Sequence, residues 1–404
     1  KIKAAGLRAV QKSMEHIARE TGLVRGNLLL LQLNQKDGFD CPGCAWPDPE
    51  GHRSRFEYCE NGAKAVAEES TQKRVTPEFF ARHSVEELGT WSDFQIGKAG
   101  RLTHPTLLEN GDSHYKPISW ERAFGIIAEE IGALNSPDEA IFYTSGRTSN
   151  EAAFLYQLFV RELGTNNLPD CSNMCHESSG CAMGASIGVG KGTVSLDDFD
   201  KADSIFIFGH NQGTNHPRML SALQRARENG CEIVSINPLP EAGLTGFQHP
   251  QNPRDLVSGG TKLSTLFLPV KINGDVALLK GIFKKMLEIE ETRGGVFDRE
   301  FIATHTHGFE EFVADIRAAN WDEIVENSGV ERGKIERAGE IAAGSKRMIC
   351  CWAMGLTQHK NAVATIQNVV NLLLLGGHIG REGAGACPVR GHSNVQGDRT
   401  MGIY

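Results

Sequence analysis

The feature that most constrains the fold is an alternation of short apolar strands with segments of helix length, beginning near residue 139. Strands are predicted at 140–144, 204–208, 232–236 and 347–352, and helices at 150–163, 217–229 and 362–375. Strands that alternate with helices of this length are typical of parallel sheets covered by helices on both faces. The sequence therefore predicts an α/β fold built of doubly wound parallel sheets.

The residues before this region favour helices and one loop-rich segment. A basic amphipathic helix is predicted over 1–19, and further helices over 77–87 and 119–134, the last with Ser119 as its N-cap. Residues 36–64 contain several glycines and prolines, which favour loops. The first residue is a lysine and not a methionine, so we expect the chain to be a segment of a longer polypeptide.

Composition excludes several classes of protein. The 404 residues include 42 Lys and Arg against 50 Asp and Glu, a net charge of −8, and this sign disfavours nonspecific binding to nucleic acid or anionic lipid. The longest apolar run, 348–354, is far shorter than the ~18 residues that cross a bilayer, so no membrane span is expected. We see no signal peptide, and the ten cysteines are therefore expected to be reduced thiols in the cytoplasm.

Polar loops follow the predicted strands, at the sheet edge where doubly wound folds bind their ligands. They carry amides, hydroxyls and glycines, as expected for an extended, phosphate-bearing ligand. None has the glycine pattern of a nicotinamide site or a P-loop. The loops are 145–151, 209–217, 237–238 and 353–359.

Cys175 and His176 precede a predicted helix that reaches about Gly188. Backbone N–H groups and the helix dipole at such a position favour the thiolate form of a cysteine. His176 is a titratable group beside whatever the sulfur holds. The alternative is a buried cysteine next to an exposed histidine.

Three further cysteines, Cys41, Cys44 and Cys59, lie in the loop-rich segment. The C-x-x-C spacing is a metal or redox spacing in a reducing compartment. Zinc would need a fourth ligand, for which Asp48 or His52 is available. An iron–sulfur cluster and disulfide pairing are the alternatives.

Several blocks of sequence resemble the molybdopterin-guanine-dinucleotide oxidoreductases, specifically the formate-dehydrogenase-like catalytic subunits of the YdeP type. The most specific blocks are 173–176 (NMCH), 209–217, 352–358 (WAMGLTQ) and 388–397 (PVRGHSNVQG). The resemblance implies interleaved doubly wound domains of the formate dehydrogenase/DMSO reductase type, with a small N-terminal cluster-binding domain. The implied boundaries are 1–94 for the cluster domain, 95–170 plus 370–404 for the first molybdopterin-binding domain, and 171–369 for the second.

The resemblance also implies the roles of individual residues. Cys175 stands where the family places its molybdenum or tungsten ligand, His176 where the substrate proton is handled, and Lys64 between an iron–sulfur cluster and a pterin. Two molybdopterin guanine dinucleotides are expected around the metal. The implied cofactor-binding residues are Lys64, Gly146, Arg147, Asn150, Glu151, Asn173, Gly209, Asn211, Thr214, His216, Pro217, Asn237, Pro238, Asp275, Met354, Gly355, Gln358, Gly391, His392 and Asn394.

The cluster segment departs from the family pattern. Asp48 occupies the position of the third cluster cysteine, and Cys59 follows much earlier than the fourth cysteine would. We therefore expect an iron–sulfur cluster, of the 4Fe–4S type, with Cys41, Cys44, Cys59 and Asp48 as its ligands.

Gln367 is the second departure, because it stands where formate dehydrogenases carry an arginine that meets the formate carboxylate. A neutral amide cannot supply that bidentate charged contact. We therefore expect two-electron chemistry on a small molecule other than formate, with an electron-transfer partner that the sequence does not identify.

Two other functions are compatible with parts of the sequence. One is a degenerate family member that binds the cofactor or a partner without turnover, which the retained Cys175 and His176 disfavour. The other is a nicotinamide-dependent dehydrogenase, which the missing glycine pattern disfavours.

Overall fold

The N-terminal third of the protein is mainly helical. The computed structural model describes residues 3–404, the side chain of residue 256 excepted, so the first two residues of the helix predicted over 1–19 lie outside the described residues. The elements of this third are β1 (Ala4–Ala5), α1 (Leu7–Glu20), α2 (Leu23–Gln32), α3 (Glu60–Glu69), β2 (Arg74–Val75), α4 (Pro77–Arg82), α5 (Val85–Gly89), α6 (Asp93–Ala99), β3 (Arg101–Leu102), β4 (Thr106–Leu107), β5 (Lys116–Pro117) and α7 (Trp120–Gly132).

The helix predicted over 77–87 is divided, because Ser84 caps a new helix by accepting a hydrogen bond from the Glu87 N–H. Ser119 caps α7 as predicted, by accepting from the Arg122 N–H. The remaining elements are α8 (Asn150–Glu162), α9 (Cys171–Cys175), α10 (Glu177–Ile187), β6 (Ser204–Phe208), α11 (Gln212–Asn215), α12 (Met219–Glu228), β7 (Glu232–Ile236), α13 (Ala242–Thr245), β8 (Gly246–Gln248), α14 (Pro253–Ser258), β9 (Thr261–Lys262), β10 (Leu266–Leu268), α15 (Asp275–Arg293), α16 (Arg299–His305), α17 (Phe309–Ala318), α18 (Trp321–Ser328), α19 (Arg332–Gly344), β11 (Met348–Trp352), α20 (Met354–Thr357), α21 (Ala362–Leu375), β12 (Gly385–Pro388) and α22 (Val395–Thr400).

Five strands form the central sheet, in the order β10-β7-β6-β11-β12, and every neighbouring pair is parallel. The chain builds the sheet outward from β6 in one direction through β7 and β10, and then in the other through β11 and β12. In doubly wound folds, ligands bind beyond the carboxyl ends of the strands at the point where this direction reverses. The predicted α/β fold with a parallel sheet is confirmed.

Both faces of the sheet are covered, which explains the continuous apolar sequence of its strands. In β6, Phe206 and Phe208 join one buried cluster with residues of α15, α19 and α21. Ile205 and Ile207 join a second cluster with Leu220 of α12. Alternate side chains of one strand thus enter two cores, as the period of a strand requires.

The prediction of a strand at 140–144 was wrong. This stretch pairs only through an isolated parallel bridge between Thr144 and Asp170, and the Phe142 N–H donates to the Asn167 carbonyl (2.9 Å). A regular strand needs a neighbouring strand for its backbone N–H and C=O groups, and residues 3–404 supply none at this place.

The predicted boundary between 369 and 370 falls inside α21. Strand β12 pairs with β11 and therefore belongs to the central sheet. The last residues of the chain also lie against the 140–170 region: the Asn394 side chain donates to the Thr148 carbonyl (2.6 Å), and Ile403 packs with Val160. Across the described residues, no helix has the length and apolar character needed to span a bilayer.

Candidate active site

Cys175 lies at the junction of α9 and α10, beside the loop that follows β11. Its Sγ is 3.1 Å from the Sδ of Met354. The Gln358 Nε2 donates to the carbonyls of Met174 (2.9 Å) and Cys175 (3.2 Å). The loop after β11 therefore holds both the sulfur and the backbone of Cys175 at the reversal point of the sheet.

The loop after β12 approaches the same sulfur from another direction. The Gly391 N–H and the Arg390 guanidinium lie near the Cys175 thiol, and both favour its thiolate form. Burial nevertheless raises the pKa of the Cys175 thiol, against the expectation that the helix terminus holds it as a thiolate. A metal cation at the sulfur would favour the thiolate form.

His176 is buried, and both of its ring nitrogens are hydrogen-bonded. The Trp352 indole N–H donates to Ser179 Oγ (2.9 Å), whose hydroxyl donates to His176 Nδ1 (2.9 Å). That tautomer leaves the Nε2–H to donate to the Val389 carbonyl (3.1 Å). Burial lowers the pKa of His176 to about 3. The expected role in handling a substrate proton needs a free nitrogen, which this arrangement does not provide.

His216, expected to bind cofactor, is also buried, beneath the loop after β12. The His210 Nε2–H donates to His216 Nδ1 (2.8 Å), and the His216 Nε2–H donates to the Arg390 carbonyl (2.7 Å). Both imidazoles are buried, and burial lowers the pKa of each. His176 and His216, both neutral, thus donate hydrogen bonds to the consecutive carbonyls of Val389 and Arg390. These bonds fix the backbone just before Gly391.

Two predicted glycines, Gly209 and Gly355, lie where the loops after β6 and β11 cross. The Gly355 N–H donates to the Gly209 carbonyl (3.0 Å). A Cβ added at Gly209, whose φ is +54°, would lie 2.7 Å from Gly355 Cα. These glycines therefore serve the contact between the two backbones.

Gly146 has a comparable role beside Cys171, a residue that sequence reasoning missed. A Cβ at Gly146 would lie 2.5 Å from Cys171 Sγ. That buried sulfur is 3.2 Å from the Gly146 nitrogen and 3.0 Å from His392 Nδ1. Its spacing from Cys175, on the same short helix, is the signal that could have identified it.

Cys41, Cys44 and Cys59 line one cavity of about 390 Å³. Cys59 also caps α3, because its sulfur accepts a hydrogen bond from the Gly62 N–H. Burial raises the pKa of all three thiols, that of Cys59 to about 11. The cavity gathers further residues expected to bind cofactor: Lys64, Arg147, Thr214, Gly391 and His392.

The two candidates for a fourth metal ligand, Asp48 and His52, do not line this cavity. Asp48 Oδ1 is 2.7 Å from the guanidinium of Arg218, and His52 is exposed. In the part of the chain that the structure describes, no three His, Cys, Asp or Glu side chains are arranged to hold a single metal ion.

Other predicted residues have structural roles near the same sheet edge. Asn394 donates to Asn150 Oδ1 (2.9 Å), Asn173 completes the capping box of α9, and Asn211 caps α11. Gln367 is half-buried in α21. Among residues 3–404, it forms no hydrogen bond with Cys175. The remaining predicted residues lie on α8, at the N-terminus of α15 and in the loops after β6 and β7: Glu151, Asp275, Pro217, Asn237 and Pro238.

Two buried carboxyl groups, Asp170 and Asp398, lie near each other where the segment before Cys175 meets α22. One oxygen of each is buried without a hydrogen-bond partner within residues 3–404. Burial, with a smaller contribution from Asp170, raises the pKa of Asp398 to about 6. An unfolded aspartate ionises near pH ~4, so the unfolded chain releases this proton first and stability falls as the pH rises from about 4 to 6.

We therefore expect Asp398→Asn to remove this part of the pH dependence. Urea unfolding of the wild type and the variant at several pH values between 4 and 7 tests it, with the exposed Asp197→Asn as control. Equal slopes in the wild type and Asp398→Asn would contradict the assignment.

Comparisons of the sequence with protein families and with individual proteins point to the same family. Residues 101–401 match the family described as Molybdopterin oxidoreductase. An uncharacterized oxidoreductase of Mycobacterium tuberculosis is 54% identical over 405 residues, which cover 100% of this chain and 52% of the relative. Protein YdeP of Escherichia coli is 47% identical over 406 residues, with 99% and 53% covered. The chain thus spans about half the length of the curated relatives it matches.

Two more distant similarities concern enzymes of known name. Formate dehydrogenase H of Escherichia coli is 28% identical over 307 residues, 75% of this chain and 40% of that protein. The solved structure of acetylene hydratase from Pelobacter acetylenicus superposes with a TM-score of 0.57 at 19% identity, over 69% of this chain and 36% of that one. At that identity the structural similarity concerns the fold alone.

Proposed function

The chain belongs to the molybdopterin oxidoreductase family, and we propose that it binds two molybdopterin guanine dinucleotides around a molybdenum or tungsten ion held by Cys175. The family implies molybdopterin and molybdenum, and the matches confirm the resemblance found in the sequence. The dinucleotide form, the Cys175 ligation and the substrate are the proposal.

The convergence of separate loops on Cys175 Sγ is the observation that carries this proposal. Met354 reaches it from the loop after β11 and Gly391 from the loop after β12, at the reversal point of the sheet. Gly391 leaves open space, since a Cβ added there would meet no atom within 4 Å. A sulfur donor of this kind suits a soft transition metal.

The wall of the cysteine cavity near Gly391 carries groups that would contact a bound dinucleotide. Lys64 and Arg147 supply positive charge for phosphate groups, and Thr214 and His392 supply hydrogen-bonding groups. When bound, the cofactor supplies the two-electron transfer, while the protein positions and tunes it.

Other residues of the chain orient this site. Gln358 holds the backbone at Cys175, and His176 and His216 hold the carbonyls of Val389 and Arg390. Arg390 is buried, donates to the Gly190 carbonyl (2.9 Å) and leaves its Nε without a partner in the described residues. We assign His176 a positioning role in place of the proton-transfer role.

Metal and nucleotide analysis of the purified protein tests the proposal. We expect about one molybdenum or tungsten per chain, and guanine nucleotide released by acid hydrolysis in twofold excess over the metal. A protein matured beside an active molybdoenzyme but free of both metals would refute it.

A cofactor-binding protein without turnover is the second candidate function. The observation that favours it is the hydrogen bonding of both His176 nitrogens, which leaves no free base at that position. Full metal and nucleotide content, together with no turnover of any small oxidisable or reducible compound, would favour this candidate.

Formate is expected to be a poor substrate, because Gln367 lacks the charge of an arginine. An arginine–carboxylate contact contributes on the order of 1.5–3 kcal/mol and a neutral hydrogen bond about 1 kcal/mol. The difference corresponds to roughly tenfold in binding. We expect Gln367→Arg to improve formate oxidation, measured with an artificial electron acceptor.

Asn368→Arg is the matched control, because it adds the same charge one residue along α21. Vigorous formate oxidation by the wild type, or equal gains in both variants, would contradict this interpretation of Gln367.

A further inference from the structure

Asp48 forms ion pairs, although the resemblance places a cluster ligand at its position. Its Oδ1 accepts no hydrogen bond within residues 3–404, so its contact with Arg218 is one of charge. Its Oδ1 is 2.7 Å from the terminal guanidinium nitrogen of Arg218, and its Oδ2 is 3.7 Å from Arg53. The side chains of Asp48 and Arg218 are 15% and 10% exposed. An ion pair shielded to this degree is only weakly screened by solvent.

Arg218 belongs to the wall of the cysteine cavity, and a second carboxylate holds it there. Glu57 Oε1 accepts from its Nε (3.3 Å) and from the same terminal nitrogen (2.7 Å). The guanidinium thus lies between two carboxylates, with one face on the cavity that Cys41, Cys44 and Cys59 line.

Arg53 is also held in place by hydrogen bonds, so the second oxygen of Asp48 lies near a positively charged group with a defined position. The Arg53 Nε donates to the Pro49 carbonyl (2.9 Å) and its terminal nitrogen to the Asn34 carbonyl (2.8 Å). Turning Asp48 toward a metal in the cavity would remove it from both arginines. Taking one partner from a largely buried charge pair is strongly unfavourable.

We infer that Cys41, Cys44 and Cys59 hold an iron–sulfur cluster through three thiolates, and that Asp48 is the counter-ion of Arg218 and not a ligand. This inference rests on the proposed function, since the cluster is expected from the same family resemblance, which places it beside the pterin. It replaces the four-ligand site expected from the sequence.

A single zinc ion fits the geometry less well than a cluster does. Zinc draws its sulfur ligands to about 2.3 Å, and no three suitable side chains among residues 3–404 are arranged for a single ion. The three cysteines line a cavity of about 390 Å³, which is larger than a single ion requires.

Three protein ligands restrict the cluster that forms. A cubane held by three thiolates either lacks its fourth iron, as a 3Fe–4S cluster, or completes that iron with a ligand from solution. Either form differs from a four-ligand cluster in electron paramagnetic resonance and Mössbauer spectra. Those spectra report on the ligands without any need for enzymatic turnover.

The test loads the anaerobic protein with ferric iron and sulfide in the presence of a thiol reductant, which supplies the mixed ferric and ferrous iron of the cluster, and compares the wild type with Asp48→Asn. We expect equal iron content and the same spectra in both proteins, and loss of at least a third of the iron in Cys59→Ser. The matched control is Asp40→Asn, which neutralises an exposed carboxylate in the same loop. Asp48→Asn leaves Glu57 on Arg218, and its melting temperature shows whether it folds.

If Asp48→Asn does not fold, the double variant Asp48→Asn/Arg218→Gln removes both charges and takes its place. A changed iron spectrum or a lost iron in the folded Asp48 variant, with none in Asp40→Asn, would overturn the inference. One zinc per chain, or no iron in protein that contains molybdenum and pterin, would also overturn it and leave the proposed function standing. Absence of molybdenum and pterin as well would overturn both.

Discussion

Cys175→Ser is expected to lower turnover by at least about 100-fold, because residues that merely support a metal ligand already cost roughly 10–100-fold when replaced. A serine oxygen is a harder and shorter donor than the thiolate that a soft metal prefers. The pterin content should remain near that of the wild type, since the residues proposed to hold it lie on other elements. X-ray absorption at the metal edge should lose one sulfur neighbour.

Cys181→Ser is the control for this variant. Cys181 lies on α10, six residues beyond Cys175, and its side chain is exposed. Activity and sulfur count should be unchanged there. A Cys175→Ser protein with the full sulfur count would show that the metal has another ligand.

Gly209→Ala is expected to lower the free energy of unfolding by about 2–5 kcal/mol. Part of the cost, roughly 1–2 kcal/mol, comes from a side chain at a φ of +54°. The rest, about 1–3 kcal/mol, comes from the Cβ that would press on the Gly355 backbone at 2.7 Å. Urea unfolding measures the change.

Gly230→Ala separates these two causes. Gly230 has a φ of +90°, and a Cβ added there would meet no atom within 4 Å. It should therefore show only the conformational cost. If the two variants were equally stable, the close contact between the loops after β6 and β11 would be absent in solution.

Much of the fold follows from local sequence pattern. The apolar runs at 204–208 and 232–236 are strands with the predicted bounds, and α21 spans the predicted 362–375. The stretch 140–144 has an equally apolar sequence but no regular strand, because strand formation depends on a neighbour that residues 3–404 do not provide. A helix closes its hydrogen bonds within itself, and a strand cannot.

The sequence by itself determined the parallel α/β architecture, the polar loops at the strand ends, and the family to which Cys175 and its neighbours belong. These follow from hydrophobic period and from residue order, which the chain carries locally. Only the tertiary structure decided which partners each side chain meets. His176 and His216 hold backbone carbonyls, Gly209 makes room for Gly355, and Asp48 pairs with Arg218. The members of each pair are separated by more than a hundred residues along the chain. Burial then decides which side chains keep a charge or a free nitrogen.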